Sequence, residues 1–437
     1  MSRHVTIRMY NVGFGDCFLL TIPAGDRDRT ILIDCGRHVG TKMSKPDFWE
    51  VVKRLIADLP SKDGHPFIDV IVMTHRHRDH VHGFSRPELW EDVRVGEIWM
   101  PWTEAPDDPT ARRLRVQQQH AAERALHALR AFGAQDGDPA LGLALNSLAN
   151  EAAMETLAGF GCPIRYLPDA LKPQATEIVG SDDRDHGIPR GVRVHVLGPS
   201  RDRKVIASLN PPQGAAYLRL VRQGVDRLDG PDGPQYAPRQ GPPSPWGGRW
   251  DLGRTPKSDA EQCARLGITP KQFVDLLGSV DRASMSDAES LAFSVDSMLN
   301  GTSLVLLFEV DGLGLLFPGD AQWGTWKAIL GIEAWRAKLD DVRFLKVGHH
   351  GSHNATPVEF VEHHLHDAVA MVSVSKTGYT ASGWTQIPKA ELLRAMQRPG
   401  RADLLIRSDS DPPPSDAISH DPDDMWTEVH LDPEHRP

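Results

Sequence analysis

The residues that most constrain this chain are positions 74–83, Thr-His-Arg-His-Arg-Asp-His-Val-His-Gly. His75, His77, Asp79 and His80 place three imidazoles and a carboxylate within six residues. Imidazole nitrogen and carboxylate oxygen are the donors that divalent zinc favours. The run before them, 68–73, is short and largely apolar, as expected of a strand buried on both faces that delivers the cluster at its end. His75 and His77 are two apart, so an extended loop can turn both toward one ion. Asp79 and His80 follow and can reach a second ion nearby. Two adjacent ions can share a hydroxide and polarise a substrate oxygen. His82, in the slot before Gly83, is expected to be a non-ligand. The plain alternative is a histidine-rich solvent loop, and the adjoining buried strand speaks against it.

The rest of the chain alternates strand and helix, which indicates an α/β class. Strands are expected over 4–10, 17–22, 30–33, 68–73, 95–100, 192–197, 304–308, 313–317, 344–347 and 368–374. Helices are expected over 46–59, 110–132, 141–157, 262–287, 329–339 and 388–396. Residues 210–254 hold Pro211-Pro212, Gly230-Pro231, Gly233-Pro234 and Gly241-Pro242-Pro243, so irregular, exposed chain is expected there. Residues 411–437 are rich in Asp and Pro and read as a flexible tail.

Composition narrows the function classes. Cys17, Cys35, Cys162 and Cys263 are dispersed without CxxC spacing, which argues against a disulfide framework or a cysteine zinc site and for free thiols in a reducing compartment. No apolar leader and no uncharged apolar run of about 18 residues is present, so a cytoplasmic protein with no membrane span is expected. Acidic residues outnumber basic ones, 59 to 49, for a formal charge of −10. That excludes a whole-protein basic field for nucleic acid but leaves room for a local basic groove.

His75-x-His77-x-Asp79-His80 followed by Gly83, at a strand end, resembles the signature of the metallo-β-lactamase superfamily. Asp34, in Leu32-Ile33-Asp34-Cys35-Gly36, resembles that family's early aspartate, and Pro318-Gly319-Asp320-Ala321 its strand-borne Gly-Asp motif. Asn11-Val12-Gly13-Phe14-Gly15-Asp16, Asn300-Gly301-Thr302-Ser303 and His349-His350-Gly351-Ser352 are similar to the branch containing the hydrolase domain of the competence protein ComEC. So are Ser373-Val374-Ser375 and the helix start Ile387-Pro388-Lys389-Ala390. The likeness covers roughly residues 4–100, 190–200 and 298–410 and leaves 101–189 and 201–297 as insertions without counterpart.

The resemblance implies a four-layer αββα fold, with a catalytic domain over 1–410, and two metal ions. Zinc is the default, and manganese or iron can take the same donors. His75 and His77 would hold the first ion, Asp79 and His80 the second, and Asp320 would bridge both. One of His349 and His350 would complete the second site. His349 is favoured because it ends the strand, and its partner would orient a ligand or donate a proton. Asp34 would support the loop from behind the metals. The family's third histidine on the first ion has no convincing match among His120, His127, His186 and His195. His195, on a strand, is carried forward beside the alternative that water completes the site.

The implied chemistry is hydrolysis by a metal-bound hydroxide, because zinc lowers the pKa of bound water to about 7. Asp79, His350 and Lys346 are the candidate catalytic groups, Lys346 as a partner for phosphate. No GxSxG elbow and no GxxxxGK[ST] loop is present. A phosphodiesterase acting on DNA or RNA is expected first, on the branch resemblance and on Arg112-Arg113-Leu114-Arg115 and Arg201-Asp202-Arg203-Lys204. Hydrolysis of a small ester, lactone or thioester is the alternative, and a catalytically degenerate binding subunit the third reading. The insertions are a candidate docking surface for a protein partner, with Trp246 and Trp250 as anchors.

Overall fold

The computed structural model describes residues 4–25, 27–38, 46–148, 150–172, 176–181, 187–208, 211, 215–216, 285–375 and 387–432. Nearly all of the Pro/Gly-rich segment 210–254, most of the expected helix 262–287, and Cys263, Trp246, Trp250 and His186 lie outside them. The chain divides into two compact units, Met1–Leu220 with Glu289–Pro437, and Val221–Ala288. Nearly every described residue belongs to the first.

In chain order the strands are β1 Val5–Tyr10, β2 Cys17–Ile22, β3 Arg29–Cys35, β4 Ser61–Lys62, β5 His65–Val72, β6 Arg94–Pro101, β7 Ile164–Leu167, β8 Glu177–Val179, β9 Arg193–Gly198, β10 Val305–Val310, β11 Leu313–Phe317, β12 Val342–Lys346, β13 Ala368–Val372, β14 Ala402–Arg407, β15 Ile418–His420 and β16 Trp426–Leu431. They form two sheets. One runs β15-β16-β1-β2-β3-β5-β6-β7, with β4 beside β5, and the other β14-β13-β12-β11-β10-β9-β8. Each is antiparallel in one part and parallel in the other: β3, β5, β6 and β7 in the first, β11 to β14 in the second. Parallel neighbours need a crossover. Between β3 and β5 this is the helix Phe48–Asp58, whose first turn is capped by the Asp47 carboxylate.

Apolar burial explains the arrangement. Ile7, Phe18, Ile33, Val70 and Trp99 of the first sheet share one cluster with Val194, Phe308, Phe317, Phe344 and Met371 of the second. On the other side of the first sheet, Leu32, Ile71 and Ile98 pack with Phe48, Val51, Val52 and Leu55 of the crossover helix. On the other side of the second, Leu316, Leu345 and Ala370 pack with Trp326, Phe360, Leu392 and Met396 from three helices, Trp323–Leu330, Val358–His363 and Ala390–Met396. The central strands are therefore buried on both faces, which is why they read as apolar runs rather than alternations. No helix among the described residues is long and apolar enough to cross a membrane.

Strands β4, β7, β8 and β14 lie outside the expected set, and the structure departs from the sequence reading in three further places. The expected helix 141–157 is two, Pro139–Leu148 and Glu151–Gly159. The expected helix 329–339 is also two, Trp323–Leu330 and Glu333–Leu339, parted at Gly331, a poor helix former. The third is the C-terminal stretch 411–437, which is not a flexible tail over its described part. It carries β15 and β16, and β16 pairs with β1 from Val5↔Leu431 to Tyr10↔Trp426. Thr427, Val429 and Leu431 are buried on its inner face. Arg8 of β1 stacks over Trp426 and pairs with Glu428 at 2.9 Å.

Without β15 and β16, β1 becomes an open sheet edge. A chain ending at Ser410 is expected to melt roughly 5 °C or more lower and to aggregate. Val429→Asp, which puts an unpaired charge at a fully buried position, is expected to lose about 3 kcal/mol. An unchanged thermal melt for both would show that the sheet does not depend on this strand.

Candidate metal centre

The site lies where strands of both sheets end. β3 ends at Asp34-Cys35, β5 leads into 73–80, β11 into Asp320, and β12 into His349-His350. Carboxyl ends of strands in open α/β sheets are where ligands generally bind. Asp34 sits at a left-handed φ of 56° and is buried. Its carboxylate accepts the Thr74 amide at 2.8 Å and the Thr74 hydroxyl at 2.6 Å, and faces His80 Nδ1 at 2.7 Å. Burial pushes the Asp34 carboxyl up, against the pull of His80 and Thr74.

Two glycines let the backbone close over this point. The Asp16 amide donates to Asp79 O, and the Gly36 amide to Asp16 O, each at 2.9 Å. A Cβ on Gly36 would come within 2.3 Å of Asp79 C and His80 N, and one on Gly15 within 2.3 Å of Gly36 O.

Asp79, His80, Asp320 and His350 are all buried, and one ligand atom of each lies within 4.8 Å of the others. His80 Nε2 is 3.2 Å from Asp320 Oδ2, and His350 Nε2 is 3.5 Å from Asp79 Oδ2. The opposite ring nitrogens are held from outside: His80 Nδ1 faces Asp34, and His350 Nδ1 faces the Ser373 carbonyl at 2.8 Å. Such partners keep the proton on Nδ1 and aim the Nε2 lone pair inward. Both Nε2 atoms are buried without a well-formed hydrogen bond.

The carboxylates are fixed just as firmly. Asn146 Nδ2 donates to Asp79 Oδ1 at 2.9 Å, and the Asp79 amide donates to Asn146 Oδ1 at 3.2 Å. Asp320 accepts from Lys346 Nζ at 3.2 Å and from the His349 amide at 3.1 Å. A second buried group, Asp16, Asp34 and His80, could also hold an ion. There, however, Asp16 is paired with Lys346 Nζ, and Asp34 is taken up by Thr74 and His80.

Charge at the centre is skewed to the negative. Burial alone would lower His80, yet Asp320, Asp34 and Asp79 together hold it well above its ordinary value. Burial would raise Asp79 and Asp320, yet His80 draws both well below the usual carboxylate range, helped at Asp320 by Lys346 and His349. His75 and His77 go the other way. Burial drives His75 well below its ordinary value and His77 to about 4, so both are neutral ligand-competent rings near pH 7. His75 Nε2 and His77 Nδ1 face each other at 3.0 Å.

Several expected roles change. His350, not the favoured His349, enters the four-residue group. The reason is local: His349 and His350 both take left-handed backbone (φ 45° and 52°), so the chain turns under the strand end and drives the second ring inward. The His349 side chain keeps 12% exposure and the His350 side chain none. Lys346 is buried between Asp16 and Asp320 and has no free ammonium for a substrate phosphate. His195 is committed to Glu309 of the neighbouring strand at 2.8 Å, so it is not the third ligand of the first ion. His120 and His127 lie on the helix Pro109–Ala131, half-buried and exposed. His82 stacks on Phe48, and burial with nearby Arg78 depresses it to about 3.

The sequence reading gave no site role to five further residues, of which Asn300 stood only within a motif. Asn146, Ser147 and Asn150 come from the stretch taken as an insertion, and Asp296 and Asn300 from the helix Met285–Asn300. Ser147 Oγ is 3.3 Å from His77 Nε2, and Asn150 Nδ2 donates to Arg76 O. A signal was present: Asn146 and Asn150 are buried amides four apart on an otherwise apolar stretch.

No protein-family model and no curated protein matches this chain, so the site stands on its own geometry. The tightest local constraint is the approach of Gly36 to the loop. Gly36→Ala is expected to destabilise the fold by about 1–3 kcal/mol and to weaken metal uptake, since the Cβ meets backbone that cannot step aside. Chemical denaturation and elemental analysis check both; unchanged values in each would refute the close packing.

Proposed function

We propose that this protein is a metal-dependent hydrolase of the metallo-β-lactamase fold, similar to the ComEC-type branch, that cleaves phosphodiester bonds in DNA or RNA. The observation carrying the metal assignment is the buried Asp79–His80–Asp320–His350 group, with two inward ring nitrogens that lack a hydrogen-bond partner. An unsatisfied buried polar atom costs about 1–3 kcal/mol, and a bound cation removes that cost while neutralising the carboxylates. The donor set fits the group. His75 and His77 would hold one ion, Asp79, His80 and His350 the other, and Asp320 would be shared. The order helix, sheet, sheet, helix defined by the three apolar clusters supports the four-layer αββα reading.

Zinc or manganese bound there supplies a Lewis acid and acidified water. The chain supplies the rest. Asp34 and the Ser373 carbonyl fix the rings of His80 and His350, Asn146 fixes Asp79, and Lys346 fixes Asp320. His349, the more exposed of its pair, lies beside Asp320 and Asn300 at the rim of the group.

One observation favours phosphodiesters over small esters. The two basic stretches, far apart in sequence, come together. Arg201 pairs with Asp108, which caps the helix Pro109–Ala131, and Arg203 donates to Gln117 on the same helix at 3.0 Å. Arg112, Arg113, Arg203 and Lys204 are exposed there. Ala121 and Ala122 of this helix pack with Val295 and Leu299, each adjacent in sequence to a site residue, Asp296 and Asn300. Exposed arginines and lysines so grouped would contact phosphates, which position a nucleic acid without reading its sequence.

Protein purified without chelator is expected to carry about two zinc or manganese ions and to cleave DNA or RNA. Chelator, or His77→Ala with Asp79→Ala, is expected to lower cleavage about 100-fold or more. Metal without phosphodiester cleavage would move the assignment to small esters or lactones, and no metal would defeat the hydrolase reading. Arg112→Glu with Arg113→Glu is expected to weaken nucleic-acid cleavage while sparing a small chromogenic phosphodiester. Equal loss on both substrates would count against the basic surface.

A further inference from the structure

The contacts around His77 bring a further ligand atom beside the rings of the first ion. Ser147 Oγ lies 3.1 Å from Leu143 O, to which it can donate, and 3.3 Å from His77 Nε2, from which it can then accept. Asp296 Oδ1 lies 3.6 Å from the same Nε2. With the His77 proton on Nε2, Nδ1 presents a lone pair toward Asn300 and His75. Thr74 gives its hydroxyl proton to Asp34 and can only accept from His75 Nδ1 at 3.1 Å, which leaves a lone pair on His75 Nε2. Asn300 Nδ2 donates to Asp296 Oδ2 at 3.2 Å and lies 3.4 Å from His349 Nε2. That fixes the amide with its oxygen toward His77 Nδ1, at 2.9 Å.

In that tautomer His75 Nε2 and the Asn300 amide oxygen lie 3.0 and 2.9 Å from His77 Nδ1, so three buried ligand atoms meet at one point. Three acceptors facing one another repel unless a cation lies between them. We propose that the side-chain oxygen of Asn300 is the third ligand of the first ion, beside His75 Nε2 and His77 Nδ1. Asp296 and Ser147 are positioning residues, which orient the Asn300 amide and the His77 ring. The inference rests on the metal-site reading above and deepens it. An amide oxygen is a harder donor than imidazole, so this site suits manganese better than an all-histidine site would.

The test uses the full chain, stripped with chelator and reloaded with Zn2+, Mn2+ or Co2+, read by calorimetric titration, elemental analysis and the visible Co2+ spectrum. Wild type is expected to take about two ions. Asn300→Ala keeps one and binds the other about tenfold or more weakly. Asn300→Asp, which retains the oxygen, restores both. Asn300→His also restores both, raises the preference for zinc over manganese, and alters the Co2+ bands as nitrogen replaces oxygen. Two ions bound with unchanged affinity in Asn300→Ala would overturn the proposal. So would one ion only in wild type, while leaving the Asp79–His80–Asp320–His350 site standing. No ion at all would defeat both readings. If Asn300→Ala fails to fold, the other two variants decide: Co2+ spectra and affinities identical to wild type in both would exclude a ligand at this position.

Discussion

A buried carboxylate must be met by donors or lose its charge, and Asp34 is where this chain meets that requirement. It is satisfied by the backbone and hydroxyl of Thr74 and by the ring of His80, both from the segment after the neighbouring parallel strand. Those bonds bend 74–80 back over the end of β3. They also settle which nitrogen of His80 looks inward, and with it the face on which the donor group assembles. The glycines at 15 and 36 follow from the same demand, because the loop lies flat against backbone that no side chain could share.

The site is also more of a joint product than its motif suggests. The histidine run supplies four donors, but their aim depends on residues far away in the chain. Asn146 grips Asp79, Ser147 and Asp296 flank His77, Lys346 locks Asp320, and the Ser373 carbonyl turns His350. Buried polar networks of this sort hold together only if every member is satisfied. The helix pair Pro139–Leu148 and Glu151–Gly159 is thus part of the centre's scaffold rather than an ornament on a finished domain.

Legibility in the sequence followed burial. Strands β2, β3, β5, β10 and β11, with continuous apolar runs, were readable nearly to their ends, as was the long helix Pro109–Ala131. Strands β7, β8 and β14 were not anticipated, and β16 was hidden. Its Trp-Thr-Glu-Val-His-Leu alternation offers only Val429 and Leu431 as aliphatic inward residues, amid Asp and Pro. At the site, residue types and spacing pointed to Asp79 and His80, which lie in the buried group with Asp320 and His350, and to His75 and His77, whose rings lie beside it. Spacing could not rank His349 against His350, because the answer lies in two consecutive left-handed residues. Nor could it show that Lys346 is already spoken for by two carboxylates, which only tertiary packing decides.

The pairing of β1 with β16 has a consequence for how the chain is made. Arg8 and Glu428 are 420 positions apart and yet adjacent in one sheet. Synthesis proceeds from the N-terminus at roughly 5–20 residues per second, so β1 emerges long before the strand that covers its outer side. For that interval it presents unpaired amides and carbonyls to whatever else is nearby. Contacts this distant in sequence close slowly, after the nearer ones have formed. The nascent protein therefore passes through a stage in which its second sheet can be complete and its first cannot, and a chaperone that shields exposed strand edges would act then.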